Sequence, residues 1–166
     1  MRVNIALLTV TDTRTLDTDK SGNILEKKIK KAKHLLIDRK ICKDNKNEIK
    51  KIIKKWLKNK KIDVIITTGG TGLTGRDITP EALNDIADKH IPGFGEIFRT
   101  LSLKTVGTSS IQSRACAILA NGKYIFALPG SSGGVTDAWD KILIYQLDIN
   151  HKPCNFVELL PRLKEK

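Results

Sequence analysis

Aromatic side chains make up only 5% of the 166 residues, and arginine is scarce beside lysine. Both are the residue types that stack on bases and read their edges. A net charge of +12 would otherwise invite a nucleic-acid partner, because a basic surface gains free energy by releasing counterions from phosphates. Here the lysines are spread among isoleucine and asparagine, as on a solvated face, which makes nucleic acid a remote alternative. The three cysteines, Cys42, Cys116 and Cys154, are odd in number and scattered, which excludes a disulfide framework. Cys42 and Cys116 fall in strand-like runs and read as reduced core residues. His34, His90 and His151 lie far apart with no CxxC or HxxxH pair, so no zinc motif is present. No apolar run approaches the roughly 20 residues of a membrane span, and residues 1–5 enter a strand-like segment without a signal-peptide layout. A soluble, cytoplasmic, single domain over residues 1–166 is expected, with 40% hydrophobic content to build its core.

Strands and helices alternate along the chain. Residues 3–10 form a short Val/Ile/Leu run that ends in Thr11, Asp12, Thr13 and Arg14, which predicts a buried strand followed by a polar loop. Ile24, Leu25, Ile29 and Ala32 recur at helical spacing and lead to a strand over 35–42. Ile49, Ile52, Ile53, Trp56 and Leu57 follow the i, i+3, i+4, i+7, i+8 template of an amphipathic helix. Residues 63–68 predict a third strand, which runs straight into Gly69, Gly70, Thr71 and Gly72. Thr79 reads as an N-cap and Pro80 as the first residue of the next helix. Pro92, Gly93 and Gly95 are expected to break the chain before a helix at 96–101. Strands at 115–120 and 123–128 flank Asn121-Gly122, the pair suited to a type I′ hairpin turn. Residues 129–134 read as a second glycine-rich loop, and Val135, Ala138, Trp139, Ile142 and Leu143 mark a closing helix. Strands alternating with helices imply parallel pairing, and the hairpin makes the sheet mixed, so the fold class is α/β.

Ligands of such sheets bind beyond the carboxyl ends of the strands, which selects the loops 11–22, 69–79 and 129–134. The central loop spells G-x-G-x-x-G at 70–75, yet four residues intervene before the helix start at Pro80, and no strand carries the acidic residue of a dinucleotide fingerprint. No Gly-Lys-Ser/Thr completes a Walker A loop either. What remains is an anion-binding arrangement. Gly69, Gly70 and Gly72 allow close approach of backbone N–H groups to a phosphate, Thr71 adds a hydroxyl, and Asp77 beside Arg76 can hold a magnesium ion against that phosphate. The alternative is a tight turn in which Asp77 serves as a local cap.

The runs Thr67-Thr68-Gly69-Gly70-Thr71-Gly72 and Arg76-Asp77-Ile78-Thr79-Pro80-Glu81-Ala82 resemble the signature of the MoaB/Mog family of molybdopterin-binding proteins. The resemblance extends to Asp19-Lys20-Ser21-Gly22, Pro92-Gly93-Phe94-Gly95-Glu96, Ser113-Arg114 and Leu128-Pro129-Gly130-Ser131. The segment Lys152-Pro153-Cys154-Asn155-Phe156 is closer to the MoaB branch. The family implies a three-layer α/β/α fold with a mostly parallel, mixed sheet, a homotrimer or homohexamer, and binding of molybdopterin, a pterin bearing a terminal phosphate and a dithiolene. In active members that phosphate attacks the α-phosphate of Mg-ATP and yields adenylylated molybdopterin and pyrophosphate. Non-catalytic relatives hold molybdopterin without turnover, and that binding role is the alternative.

By resemblance the substrate- and nucleotide-binding set comprises Thr11, Asp12, Ser21 and Gly22, then Gly69, Gly70, Thr71, Gly72 and Arg76, then Ser113, Pro129, Gly130 and Ser131. The resemblance assigns catalytic and magnesium roles to Asp77 and Asp44, with Asp44 equally readable as a helix cap beside Asn45 and Asn47. Asp12 reads either as a ligand contact or as a turn former. One departure stands out: where active relatives often have Asn-Pro or Gln-Pro after Leu-Pro-Gly, this chain has Ser131-Ser132-Gly133-Gly134, which predicts a more flexible loop at the pterin contact.

Overall fold

Six consecutive side chains of the first strand, Ile5 to Val10, are almost entirely shielded from water, which only a strand in the middle of a covered sheet can achieve. A computed structural model describes residues 1–165. The strands are β1 (Asn4–Val10), β2 (Leu35–Cys42), β3 (Val64–Thr68), β4 (Lys89–His90), β5 (Cys116–Ala120) and β6 (Lys123–Leu128), in the sheet order β2-β1-β3-β6-β5-β4. The first four in that order are mutually parallel, β5 runs antiparallel to β6, and the edge strand β4 pairs antiparallel with β5 and so runs in the direction of the first four. Helices cover both faces, as a three-layer α/β/α fold requires.

On one face α1 (Lys20–Lys31), α4 (Pro92–Val106) and α5 (Ser132–Ala138) pack Leu25, Ile29, Phe94, Phe98, Val135 and Ala138 onto the sheet. On the other, α2 (Lys46–Lys58) and α3 (Thr79–Asn84) contribute Ile49, Ile53, Trp56, Ala82 and Leu83. Fully buried side chains such as Ile49 and Ile53 each contribute roughly 1.5–3 kcal/mol relative to exposure. The lysines between them point to water, so α2 holds its place through its apolar stripe. No helix among the described residues is long and apolar enough to cross a membrane.

Asn121 (φ 47°) and Gly122 (φ 69°) both occupy the left-handed region at the β5–β6 turn, as the Asn-Gly pair predicts. Other elements differ from the sequence reading. The residue that caps α3 is Ile78, without a side-chain bond, while Thr79 lies inside the first turn and its hydroxyl donates to the Gly69 carbonyl at 2.9 Å. Pro92 opens α4 instead of breaking the chain before it, since a proline in the first turn lacks only an N–H that would be unpaired anyway. Ser132, Gly133 and Gly134 are the first turn of α5 and not a loop, because the Ser131 hydroxyl accepts from Gly134 N–H at 3.1 Å and caps the helix. The expected closing helix continues through a π-helical stretch, Trp139–Leu143. The edge strand β4 is too short to leave a periodic signal.

Four parallel strands place four carboxyl ends on one edge of the sheet. The loops after β1, β2, β3 and β6 therefore converge there without any further instruction.

Candidate active site

Two loops at that edge are sewn into the sheet. Gly69 N–H donates to the Leu128 carbonyl at 3.0 Å, and the Thr68 hydroxyl donates to the Pro129 carbonyl at 2.8 Å. Gly69 (φ 101°) and Gly70 (φ 65°) adopt left-handed backbone that favours glycine. A Cβ at Gly70 would also fall 2.5 Å from the Thr79 hydroxyl and 3.1 Å from Asp44 Oδ1. The Gly70 carbonyl accepts from Thr79 N–H, while the N–H groups of Gly70 and Thr71 have no protein acceptor among the described residues. Donors thus remain for an anion at the turn.

Asp77 is held from three sides. Its Oδ2 accepts from the Thr74 N–H at 2.9 Å and the Thr74 hydroxyl at 2.7 Å, and its backbone carbonyl accepts from Arg114 Nη2 at 2.8 Å. Burial alone raises the Asp77 carboxyl, but the bonds from Thr74 and Gly72 and the Arg114 charge outweigh it and hold the group below the ordinary carboxylate range. Arg114 extends this clamp. Its Nε donates to the Gly72 carbonyl at 2.7 Å, its backbone N–H to the Thr71 carbonyl at 2.9 Å, and its remaining amino group pairs with Glu81. One planar guanidinium fixes both ends of the 72–77 turn, a geometry lysine lacks.

Asp44 follows β2, and its backbone N–H donates to Asp12 Oδ1 at 3.1 Å. The cap of α2 is Asn45, whose side chain accepts from Asn47 and Glu48 N–H groups, so Asp44 has no capping duty. Burial first, and the Asp77 charge second, raise the Asp44 carboxyl. Two carboxylates that repel each other form a place where a cation is favourable. Among the described residues no three His, Cys, Asp or Glu side chains cluster as a metal site. Two carboxylates nevertheless suit magnesium, which keeps several waters and fills its shell from substrate phosphates.

Two cavities adjoin at this point. The smaller, about 450 Å³, is polar and includes Thr9, Thr11, Asp12, Arg14, Ser21 and Arg76. The larger, about 900 Å³, runs from the glycine loop past Ser113, Pro129 and Ser132 to Phe98, Ser102 and Thr105 of α4 and Asp137 of α5. Gly70, Asp77, Gly130 and Ser131 line both, and Asp44 lines the polar one. Thr71 and Gly72 face the larger cavity and Gly69 the smaller. Gly22 sits behind the wall, with its N–H spent on Asp19 Oδ1 at 2.9 Å. Arg76, with a side chain 71% exposed, pairs with Asp12 across the polar mouth.

Beneath the polar cavity lies Asp19, fully buried, which caps α1 and accepts from the Thr9 hydroxyl at 2.6 Å, Arg39 Nη2 at 2.9 Å and the Ser21 hydroxyl at 3.2 Å. Burial raises its carboxyl, yet the bonds from Thr9, Gly22 and Arg39 prevail and hold it low. Sequence reasoning did not reach the roles of Arg14, Asp19, Arg114 and Asp137. For Arg14 the polar cluster after the first strand was a usable signal, and Asp137 has a local partner four residues on in Lys141, whereas Arg114 meets its partners only in three dimensions.

The chain matches the family described as "Probable molybdopterin binding domain" over residues 6–149. It is 43% identical over 152 residues to the molybdenum cofactor biosynthesis protein B of Escherichia coli (strain K12), covering 92% of this chain and 89% of that protein. The protein of the same name from Staphylococcus aureus (strain COL) is 45% identical over 152 residues, with 90% and 89% coverage. A crystal structure of a molybdenum cofactor biosynthesis protein B superposes with a TM-score of 0.90 at 36% identity, covering 100% of this chain and 98% of that one.

Proposed function

Because the chain belongs to the molybdopterin-binding family of molybdenum cofactor biosynthesis proteins, the MoaB/Mog group, we propose that it adenylylates molybdopterin with Mg-ATP. The observation that carries this reading is the pair of cavities joined at Gly70 and Asp77. A transfer between two substrates needs two compartments that share one wall, and a carrier of a single pterin needs one. The large cavity takes the pterin, and the polar cavity, with Arg14 and Arg76, takes the triphosphate.

In this reaction an oxygen of the terminal phosphate of molybdopterin attacks the α-phosphorus of ATP. The bond from the α-phosphorus to the bridging oxygen breaks, and pyrophosphate leaves with the electron pair. No protein nucleophile or general base is required, so the work is positioning and charge neutralisation. The Gly70 and Thr71 N–H groups hold a phosphate at the shared wall, Arg76 neutralises charge at the polar mouth, and Arg114 keeps Asp77 in place. Asp44 and Asp77 would hold magnesium, which when bound would supply further charge neutralisation on the phosphates.

Homo-oligomers, trimeric or hexameric, form part of the proposal. Ile97, Leu103 and Val106 of α4 and the nearby Ile111 are each more than half exposed, and sedimentation of the purified protein reads the assembly.

The test is incubation with molybdopterin and Mg-ATP, with detection of adenylylated molybdopterin and released pyrophosphate. Product that depends on magnesium and disappears in Asp77→Asn supports the transferase. Tight molybdopterin binding with no product makes the chain a non-catalytic carrier, and unchanged turnover in Asp77→Asn removes the role given to that residue.

A further inference from the structure

Among the described residues only two charged side chains line the large cavity, Asp77 at the wall it shares with the polar cavity and Asp137 on α5. Asp137 does not line the polar cavity. If chemistry takes place at the shared wall, the part of the substrate remote from its phosphate extends toward Asp137. Apart from the amide of Gln112, the rest of that lining consists of small, hydroxyl-bearing and apolar residues, among them Ser102, Thr105, Ser110 and Phe98.

The Asp137 carboxylate is incompletely used by the protein. Lys141 meets Oδ1 at 2.8 Å, and the Thr105 hydroxyl meets Oδ2 at 3.0 Å. That hydroxyl is also 3.0 Å from the Ser102 carbonyl, and its single proton serves one acceptor at a time. An ionised carboxylate offers about four acceptor sites, so Asp137 keeps capacity toward the cavity.

A pterin carries, on the edge remote from its side chain, a ring N3–H and an exocyclic 2-amino group that point the same way. Two parallel donors match two carboxylate oxygens, the same fork geometry that pairs guanidinium with carboxylate. We propose that Asp137 is the specificity-determining residue of the large cavity and selects a 2-amino pterin by accepting from N3–H and the 2-amino group. The proposal rests on the pterin occupying this cavity, as stated under Proposed function.

The probes are 6-hydroxymethylpterin phosphate and its lumazine counterpart, in which an oxygen replaces the 2-amino group, titrated by fluorescence without ATP. The wild type is expected to bind the pterin at least about tenfold more tightly, the scale of a hydrogen bond to a charged group. In Asp137→Asn the side-chain amide can donate to the 2-oxo group while its carbonyl accepts from N3–H, so the preference shifts toward the lumazine. Thr105→Val keeps the carboxylate and is expected to keep the preference. Should the Asn variant fold poorly, Asp137→Ser reads the same loss of discrimination.

An unchanged preference in a folded Asp137 variant, or no preference in the wild type, overturns the proposal. Failure of the wild type to bind either phosphate overturns it together with the pterin reading of the cavity. Discrimination that shifts as expected, in a protein that makes no adenylylated product, supports Asp137 and removes only the transferase.

Discussion

Asp19→Ala tests whether the polar cavity is supported by a buried ion pair. The carboxylate is fully shielded and joins Thr9, Ser21, the first turn of α1 and Arg39, which is itself bound to Glu26 at 2.6 Å. Removing one partner of such a pair leaves a poorly compensated buried charge, which costs about 3–5 kcal/mol. At roughly 2–4 °C per kcal/mol for a chain of this size, Tm falls by about 6–20 °C. In the double variant Asp19→Ala, Arg39→Met the stranded guanidinium is gone as well. The second substitution is therefore expected to cost at least about 1 kcal/mol less in the Asp19→Ala background than in the wild type. Denaturant titrations of the four proteins measure this coupling. If the two losses add to within about 0.5 kcal/mol, the pair is not coupled and the support argument fails.

Three further outcomes follow from the same geometry. Gly72→Ala places a Cβ 2.8 Å from Asp77 Oδ2 on an accessible turn, so product formation should fall about 10- to 100-fold with little change in Tm, as read by turnover and thermal melts. Arg114→Lys keeps the charge but loses the fork that joins the Gly72 and Asp77 carbonyls, so amide exchange across 72–77 should accelerate and turnover should drop about tenfold or more. The carboxyls of Asp19 and Glu26 are lower in the folded chain than in the unfolded one, Glu26 through its bonds to Lys30 and Arg39. Their contribution is full above the unfolded values of about 4 and is lost as pH falls through the lowered folded values, so acid melts of Asp19→Ala should show a weaker loss of stability in that window than the wild type.

The two amphipathic helices and the Asn-Gly turn were legible because each is decided by neighbours in sequence: Ile49, Ile53 and Trp56 repeat on one face, and Asn121 with Gly122 tolerates positive φ. The convergence of the loops was legible as well, since parallel pairing alone brings the carboxyl ends together. Where sequence reasoning went astray, a contact through space decided the outcome. Glycine at 133 and 134 disfavours a helix, yet the Ser131 cap and the burial of Val135 and Ala138 place both in one. Thr79 has the chemistry of an N-cap, but the carbonyl of Gly69, ten residues earlier, claims its hydroxyl. Arg114 gave no local sign of its task because its partners lie 33 to 42 residues away.

The backbone bond from Gly69 to Leu128 continues the β3–β6 ladder into the floor of the site, and the Thr68 hydroxyl ties that floor to Pro129. A floor made of ladder rungs has its shape before any ligand arrives. Little conformational entropy is then left to lose on association at that floor, and the contacts made there count toward affinity almost undiminished. The same rigidity limits the range of ligands, because a floor that cannot rearrange accepts only molecules whose phosphate reaches it without strain.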